Sequence, residues 1–283
     1  MVLLEIDRCT VAFGGLIAVD AASMRVDCGE IVGLIGPNGA GKTTVFNLIT
    51  GICRPARARS ATAEVETADA GRQRAAAAGR RRIRVHYGDV AFDGQSIRGM
   101  TPHAIAARGI ARTFQNVRLF SNLSVLDNIR AACHVHAREP LAAALLRTSG
   151  FQAEEHEIGK QAIHLLHVFG LGKYQHEPAS SLPYGEQRRL EIARALATRP
   201  KLLLLDEPSA GMNPHETLEL MELITWVRDD FKVTVFLIEH DMRVVMGICE
   251  RVYVLDYGEV IAHGAPEEIR TDPKVIQAYL GEE

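Results

Sequence analysis

An α/β fold with a mainly parallel core sheet is what the sequence predicts, on three observations. The runs "EIVGLIG" from Glu30, "KLLLLDEP" from Lys201 and "VTVFLIEHD" from Val233 are short, continuous apolar stretches, as expected of strands buried on both faces. A glycine-rich turn and a helical pattern, "GKTTVFNLITG", follow the first run directly, with Gly51 as a natural stop. Between the second and third, Asn213 is placed to cap a helix with Pro214 in its first turn and Leu220, Ile224 and Val227 on one face. Strands that alternate with helices in this way pair in parallel, because each crossover helix returns the chain to the end of the sheet where the previous strand began.

The remaining elements follow in chain order. "LLEIDRCTVAF" at the start reads as a strand. Residues 54–84 hold ten alanines and nine arginines against three acids, Glu64, Glu66 and Asp69, with no period that would bury a face. That stretch is read as a disordered insertion in a surface connection. Ser124 with Asp127 three residues on gives a capping-box pattern. Ile158, Ala162, Leu165 and Phe169 form an apolar stripe ended by Gly170, which places a helical subdomain at about 116–184 within a single domain spanning 1–283. "RVYVLDYGEVIAHGAP" reads as a hairpin turning at Asp256, Tyr257 and Gly258.

Composition narrows the function classes. With 47% hydrophobic residues in 283, the chain is globular and has enough apolar surface for a sizeable core. Lys and Arg number 32 against 35 Asp and Glu, so bulk charge gives no reason to expect a nucleic-acid partner. Cys9, Cys28, Cys53, Cys133 and Cys249 have no CxxC spacing, which suits free thiols in a reducing compartment. No apolar run approaches the ~18 residues that cross a bilayer, so the chain is expected in the cytosol or held to a membrane by other subunits.

The chemistry starts at "GPNGAGKTT", Gly36, Pro37, Asn38, Gly39, Ala40, Gly41, Lys42, Thr43 and Thr44, which contains GxxxxGK[ST] between a predicted strand and helix. Glycines at 36, 39 and 41 let the backbone wrap so that successive N–H groups point at phosphate oxygens, aided by the positive end of the following helix. Lys42 is expected to reach the β- and γ-phosphates of ATP, and the Thr43 hydroxyl to ligate Mg²⁺. At the end of the second apolar strand, Asp206 is placed to enter the metal shell and Glu207 to polarise the attacking water as a general base. His240, at the end of the third strand, is a candidate for a hydrogen bond to the γ-phosphate.

Gly36 to Thr43, Gln115 in "RTFQN", "LPYGEQRR" from Leu182, "LLLLDEP" and His240 occur in the order and spacing of ATP-binding cassette ATPases, and the resemblance covers nearly the whole chain outside 54–84. It implies a P-loop NTPase fold with the parallel core sheet, an antiparallel β subdomain and the helical subdomain. It also implies that Phe13 stacks on adenine, that Gln115 joins the Mg²⁺ shell and senses the transporter, and that His240 is the switch histidine. The segment 182–186 corresponds to the signature loop, in which Gly185, Glu186 and the following helix end face ATP held by a second cassette, identical or paralogous. Where the family usually reads Leu-Ser-Gly-Gly-Gln, this chain has Leu182, Pro183, Tyr184, Gly185 and Glu186. Pro183 removes a hydroxyl and a backbone donor, so the serine contact is not carried over. Asn213 stands where the family usually has an aspartate.

Several stretches, "FGGLIAVD", "FNLITG", "ARTFQNVRLF", "AGMNPHET" and "PKVIQAYLG", look like the ATP-binding subunits of branched-chain amino-acid importers. That resemblance implies integral membrane permease subunits as partners, a substrate-binding protein acting indirectly, and a peripheral position on the cytoplasmic face of the membrane. The alternatives are another system of the family, such as the lipopolysaccharide-export ATPase with its similar tail, or a soluble cassette ATPase acting on DNA or ribosomes. One motif set and no sustained heptad pattern speak against the soluble class.

Overall fold

A computed structural model describes residues 1–13, 16–53, 88–137 and 139–280. The predicted disordered insertion at 54–84 lies outside the described residues. Among the described residues ten strands and ten α-helices run in the order β1 (Val2–Phe13), β2 (Leu16–Asp27), β3 (Ile31–Ile35), α1 (Lys42–Ile49), β4 (Asp89–Phe92), β5 (Gln95–Ser96) and α2 (Pro102–Ala107). They continue with β6 (Ile110–Arg112), α3 (Val125–Cys133), α4 (Leu141–Leu146), α5 (Ser149–Val168), α6 (Tyr184–Ala197), β7 (Leu202–Asp206) and α7 (Pro214–Phe231). The last are β8 (Thr234–Ile238), α8 (Met242–Ile248), β9 (Arg251–Asp256), β10 (Glu259–Gly264), α9 (Pro266–Thr271) and α10 (Pro273–Leu280). Contacts divide the chain into two compact units, one of residues 1–102 with 238–283 and the other of 103–237.

The first unit holds an antiparallel sheet in the order β2-β1-β4-β5. It also holds β3, whose five residues are all buried, pairing in parallel with β9, which in turn pairs antiparallel with β10. The hairpin read from the sequence is thus present, with Tyr257 and Gly258 both at positive φ in its turn. Tyr253 ties the two sheets of this unit together: its hydroxyl accepts from the Arg25 amide at 2.9 Å and donates to the Arg25 carbonyl at 3.0 Å. Arg251 bridges Asp27 and Glu30 at 3.0 and 2.9 Å. That guanidinium holds the Asp27 carboxyl below its ordinary pKa, whereas burial pushes Glu30 up.

The second unit carries β6 and β7 in parallel register, with β8 beside β7, and the longer helices. β7 and β8 are buried at every residue, as their apolar runs require. Ser124 caps α3 by accepting from the Asp127 amide at 3.0 Å. Helix α5 buries Ile158, Ala162, Leu165 and Leu166 and ends before Gly170, at φ 69. Phe169, Trp226 and Phe231 then pack edge to face, with Trp226 centred 5.9 and 5.5 Å from the other two rings, which pins the end of α5 against α7.

Asn213 does cap α7: its side-chain oxygen accepts from the amides of His215 and Glu216 at 2.9 and 3.0 Å, and Glu216 returns a bond to the Asn213 amide at 2.9 Å. An aspartate accepts the same two bonds, so this capping geometry does not require the amide. Asn213→Ala is expected to cost about 1 kcal/mol in chemical denaturation, and Asn213→Asp less than about 0.5 kcal/mol. Equal losses for both would show that the cap is not what holds this helix start.

Candidate functional site

In the first unit, β3 delivers the chain to Gly36 and α1 begins at Lys42. At Gly36, φ 148, a Cβ would collide with the Leu255 carbonyl oxygen. At Gly41, φ 105, it would collide with that of Ala18. Glycine is therefore forced at both ends of the loop by backbone passing on either side. The loop is also tied to the β9–β10 turn, where the Gly258 amide donates to the Ala40 carbonyl at 3.0 Å. Helix α1 starts with no side-chain cap and no acid in its first turn, so its leading N–H groups, those of Thr43 and Thr44 included, face the loop concavity.

Lys42 is only 7% exposed and folds over that concavity, its ammonium donating to the carbonyls of Gly36 at 2.7 Å and Pro37 at 2.9 Å. A fixed cation above a row of amides is an anion site of the kind phosphate fits. Phe13 closes β1 with 53% of its surface exposed, which leaves a ring face available for stacking. His240 follows β8 with its amide bonded to the buried Glu239 carboxylate at 3.1 Å, while its side chain is largely exposed. Tyr279 lies on α10, and burial pushes its hydroxyl above its ordinary pKa.

In the second unit, the buried strand β7 ends on Asp206, whose Oδ2 accepts from Arg112 at 2.6 Å with both side chains about 95% buried. Glu207 follows at φ 47, a left-handed conformation that costs a non-glycine residue about 1–2 kcal/mol. Its Oε2 accepts from the Gln115 side-chain amide at 2.7 Å. Gln115 lies just beyond β6, where the Thr113 amide is pinned to the Leu204 carbonyl at 2.9 Å. Asp206 and Gln115, two residues distant in sequence from each other, each keep one side-chain oxygen outside these bonds.

Those two oxygens in the second unit are hard donors of the class Mg²⁺ prefers, and the Thr43 hydroxyl of the first unit is of the same chemical class. Among the described residues no cluster of three or more His, Cys, Asp or Glu could hold a metal by itself. Carboxylate, amide and hydroxyl oxygens in such small number are chemically suited to Mg²⁺, which commonly completes its shell with water and substrate phosphates.

Leu182 is buried and anchors the segment leading to α6. Pro183 occupies the N-cap position with no side-chain cap, so the first-turn amides of α6 have no side chain across them. A Cβ on Gly185 would meet nothing nearer than Glu216 Oε1 at 3.9 Å, so the approach to this helix end is open. Glu186 lies in the same turn. Tyr184, in place of a small residue, donates its hydroxyl to the Ala210 carbonyl at 3.0 Å and bonds the signature segment to the loop before Asn213.

Sequence reasoning missed Arg112, Arg188, Glu191 and the bond that Tyr184 makes to Ala210. A charged residue inside a helix or at a strand end carries no mark in sequence that separates burial from exposure. For Tyr184 the signal was its presence where the resembling family has a small residue.

The model of the ABC transporter family matches residues 19–210, and that of the branched-chain amino acid ATP-binding cassette transporter matches 259–283. The high-affinity branched-chain amino acid transport ATP-binding protein BraF of Pseudomonas aeruginosa is 42% identical over 280 residues, 99% of this chain and 98% of that protein. LivG of Escherichia coli, which carries the same description, matches to the same extent. The lipopolysaccharide export system ATP-binding protein LptB of Escherichia coli is 35% identical over 272 residues, 96% of this chain and 94% of that protein. Among solved structures, a nucleotide-free ATP-binding cassette from an ABC transporter superposes with TM-score 0.78 at 26% identity, covering 100% of both chains. A cassette in its ADP conformation gives 0.77 at 27% identity, again over 100% of both.

Proposed function

The chain belongs to the ABC transporter family, and from that premise we propose that it is the ATP-hydrolysing subunit of an importer of branched-chain amino acids. The observation that carries the substrate class is 42% identity to BraF and LivG over 99% of this chain, together with the tail match at 259–283. The exporter relative LptB is more distant, at 35%. No helix among the described residues is long and apolar enough to cross a membrane. In this reading integral permease subunits hold the chain at the cytoplasmic face, with a substrate-binding protein on the other side and a second cassette, identical or paralogous, beside this one.

The residues take the following roles in ATP hydrolysis. The amides of Gly36 to Thr44 and the Lys42 ammonium bind the phosphates, and Phe13 stacks on adenine. Thr43, Gln115 and Asp206 would hold Mg²⁺, which would supply charge neutralisation for the leaving and transferred phosphates when bound. Arg112 orients Asp206 by its bond at 2.6 Å. Glu207 takes the proton of the attacking water, and Gln115 Nε2 orients that carboxylate from 2.7 Å. His240 donates to the γ-phosphate. The first turn of α6, with Gly185 and Glu186, meets the γ-phosphate of ATP on a second cassette through its N–H groups, whose aligned dipoles amount to roughly +0.5 charge.

The test is transport. Vesicles carrying this chain, its co-purifying membrane subunits and a binding protein should accumulate labelled leucine, isoleucine or valine when charged with Mg·ATP. ATPase activity that responds to lipopolysaccharide and not to these amino acids would move the chain to the exporter reading.

A further inference from the structure

Arg188 sits on α6 one turn past Tyr184, and its side chain is 1% exposed. One guanidinium nitrogen donates to the Phe114 carbonyl at 2.7 Å and to the Glu191 carboxylate at 2.8 Å. The other donates to the Gln115 carbonyl at 2.6 Å and to the Glu207 carbonyl at 3.4 Å. Glu191, also 1% exposed, uses its second oxygen to accept from the amides of Phe114 at 3.4 Å and Arg118 at 3.3 Å. The pair thus grips the 114–118 segment by carbonyls and amides alike, and holds the carbonyl of the residue at φ 47.

Stability does not explain this arrangement. Removing two charges from water carries a large penalty, and apolar residues of similar volume often replace a buried pair at no loss. Among the described residues Arg188 Nε is buried with no hydrogen-bond partner at all, a further cost. What the pair does supply is geometry. The rigid fork of an arginine fixes two successive carbonyls and a third from another loop at once, which neither a lysine nor an apolar side chain can do.

We propose that Arg188, braced by Glu191, is a positioning residue for ATP hydrolysis: it fixes the backbone of Gln115 and Glu207 relative to each other and to α6. The Gln115 side chain and the Glu207 carboxylate then meet at 2.7 Å with the base held in its left-handed conformation. Since Arg188 lies in the turn next to the open end of α6, a shift of that helix end is transmitted to the base through one side chain. The inference rests on the assignment of Glu207 as the base.

Two variants test it in the full chain. Arg188→Met with Glu191→Leu removes both charges together and strands neither, whereas Arg188→Lys keeps the charge and loses the fork. Each should bind Mg·ATP with unchanged affinity and melt cooperatively, with KM preserved and kcat reduced about 10- to 100-fold, the scale of a misplaced catalytic group. Placed on Glu207→Gln, neither should lower the residual rate further, because the group it positions is already gone. A kcat within twofold of the parent in Arg188→Lys, or an equal further loss on the Glu207→Gln background, overturns the proposal. If the double variant does not fold, Arg188→Lys decides by the same readings. Near-normal turnover in Glu207→Gln alone would instead overturn the assignment of the base.

Discussion

Replacing Glu207 by glutamine should leave Mg·ATP binding intact and slow steady-state hydrolysis by about 10²–10⁴-fold, the usual cost of losing a general base. The substitution keeps volume and shape but removes the basic oxygen. The environment explains why little else should change. Oε2 of Glu207 accepts from Gln115 Nε2 at 2.7 Å, and a glutamine accepts the same bond through its amide oxygen. The backbone at φ 47 is held from outside by the Arg188 bond to the Glu207 carbonyl, so the side chain stays aimed as before. Nucleotide affinity measured by calorimetry and turnover measured by phosphate release separate the two effects. Turnover within a few-fold of the parent would remove Glu207 from the role of base and leave Asp206 and His240 to be examined in turn.

Where the fold was legible in the sequence, the reason was burial on both faces. β3, β7 and β8 have no exposed residue, so their apolar runs are continuous, and Gly36 to Thr43 between β3 and α1 could be read as a unit. β2 was missed because its pairing with β1 slips register, between Ile6 and Cys9 and again between Cys9 and Val11, which breaks the alternation that marks a half-buried strand. β4 and β5 are four and two residues long, too short to show a period. In the candidate site, the motif residues were legible because a phosphate loop demands glycine and lysine at fixed offsets. Their supports were not. In "QRRLE" an arginine and a glutamate three apart look like an ordinary exposed helix pair, and only the packing of the 114–118 segment against α6 turns Arg188 and Glu191 into a buried clamp. Arg112 likewise reads as a strand-end charge, yet both it and Asp206 are removed from water.

Mixing two inactive chains should restore an ATP-dependent dimer, and the reasoning starts from the two helix ends. The start of α1 lies under Lys42, the cation proposed to hold phosphate there, whereas α6 begins with open amides, a bare Gly185, Glu186 and no cationic side chain in its first turn. A helix end of that kind favours an anion it does not itself hold, which is the role proposed for it across a pair of cassettes. Lys42→Ala removes the cation from the P-loop. Gly185→Asp places a carboxylate at the α6 end, into space where nothing lies within 3.9 Å of the new Cβ, so the chain should still fold. Two like charges about 4 Å apart near a protein surface repel by about 4 kcal/mol, roughly 10³-fold in affinity. Each variant alone therefore fails to pair on ATP. In the mixed pair one interface combines the intact P-loop of the Gly185→Asp chain with the intact α6 end of the Lys42→Ala chain, while the other interface carries both lesions. With Glu207→Gln added to both chains to hold ATP, size-exclusion chromatography should show a heterodimer in the mixture and monomers in each variant alone. If parent chains carrying Glu207→Gln dimerise under the same conditions and the mixture does not, α6 does not read a partner's nucleotide. If the parent also stays monomeric, a paralogous cassette is required, and the same two lesions must then be divided between the two different chains.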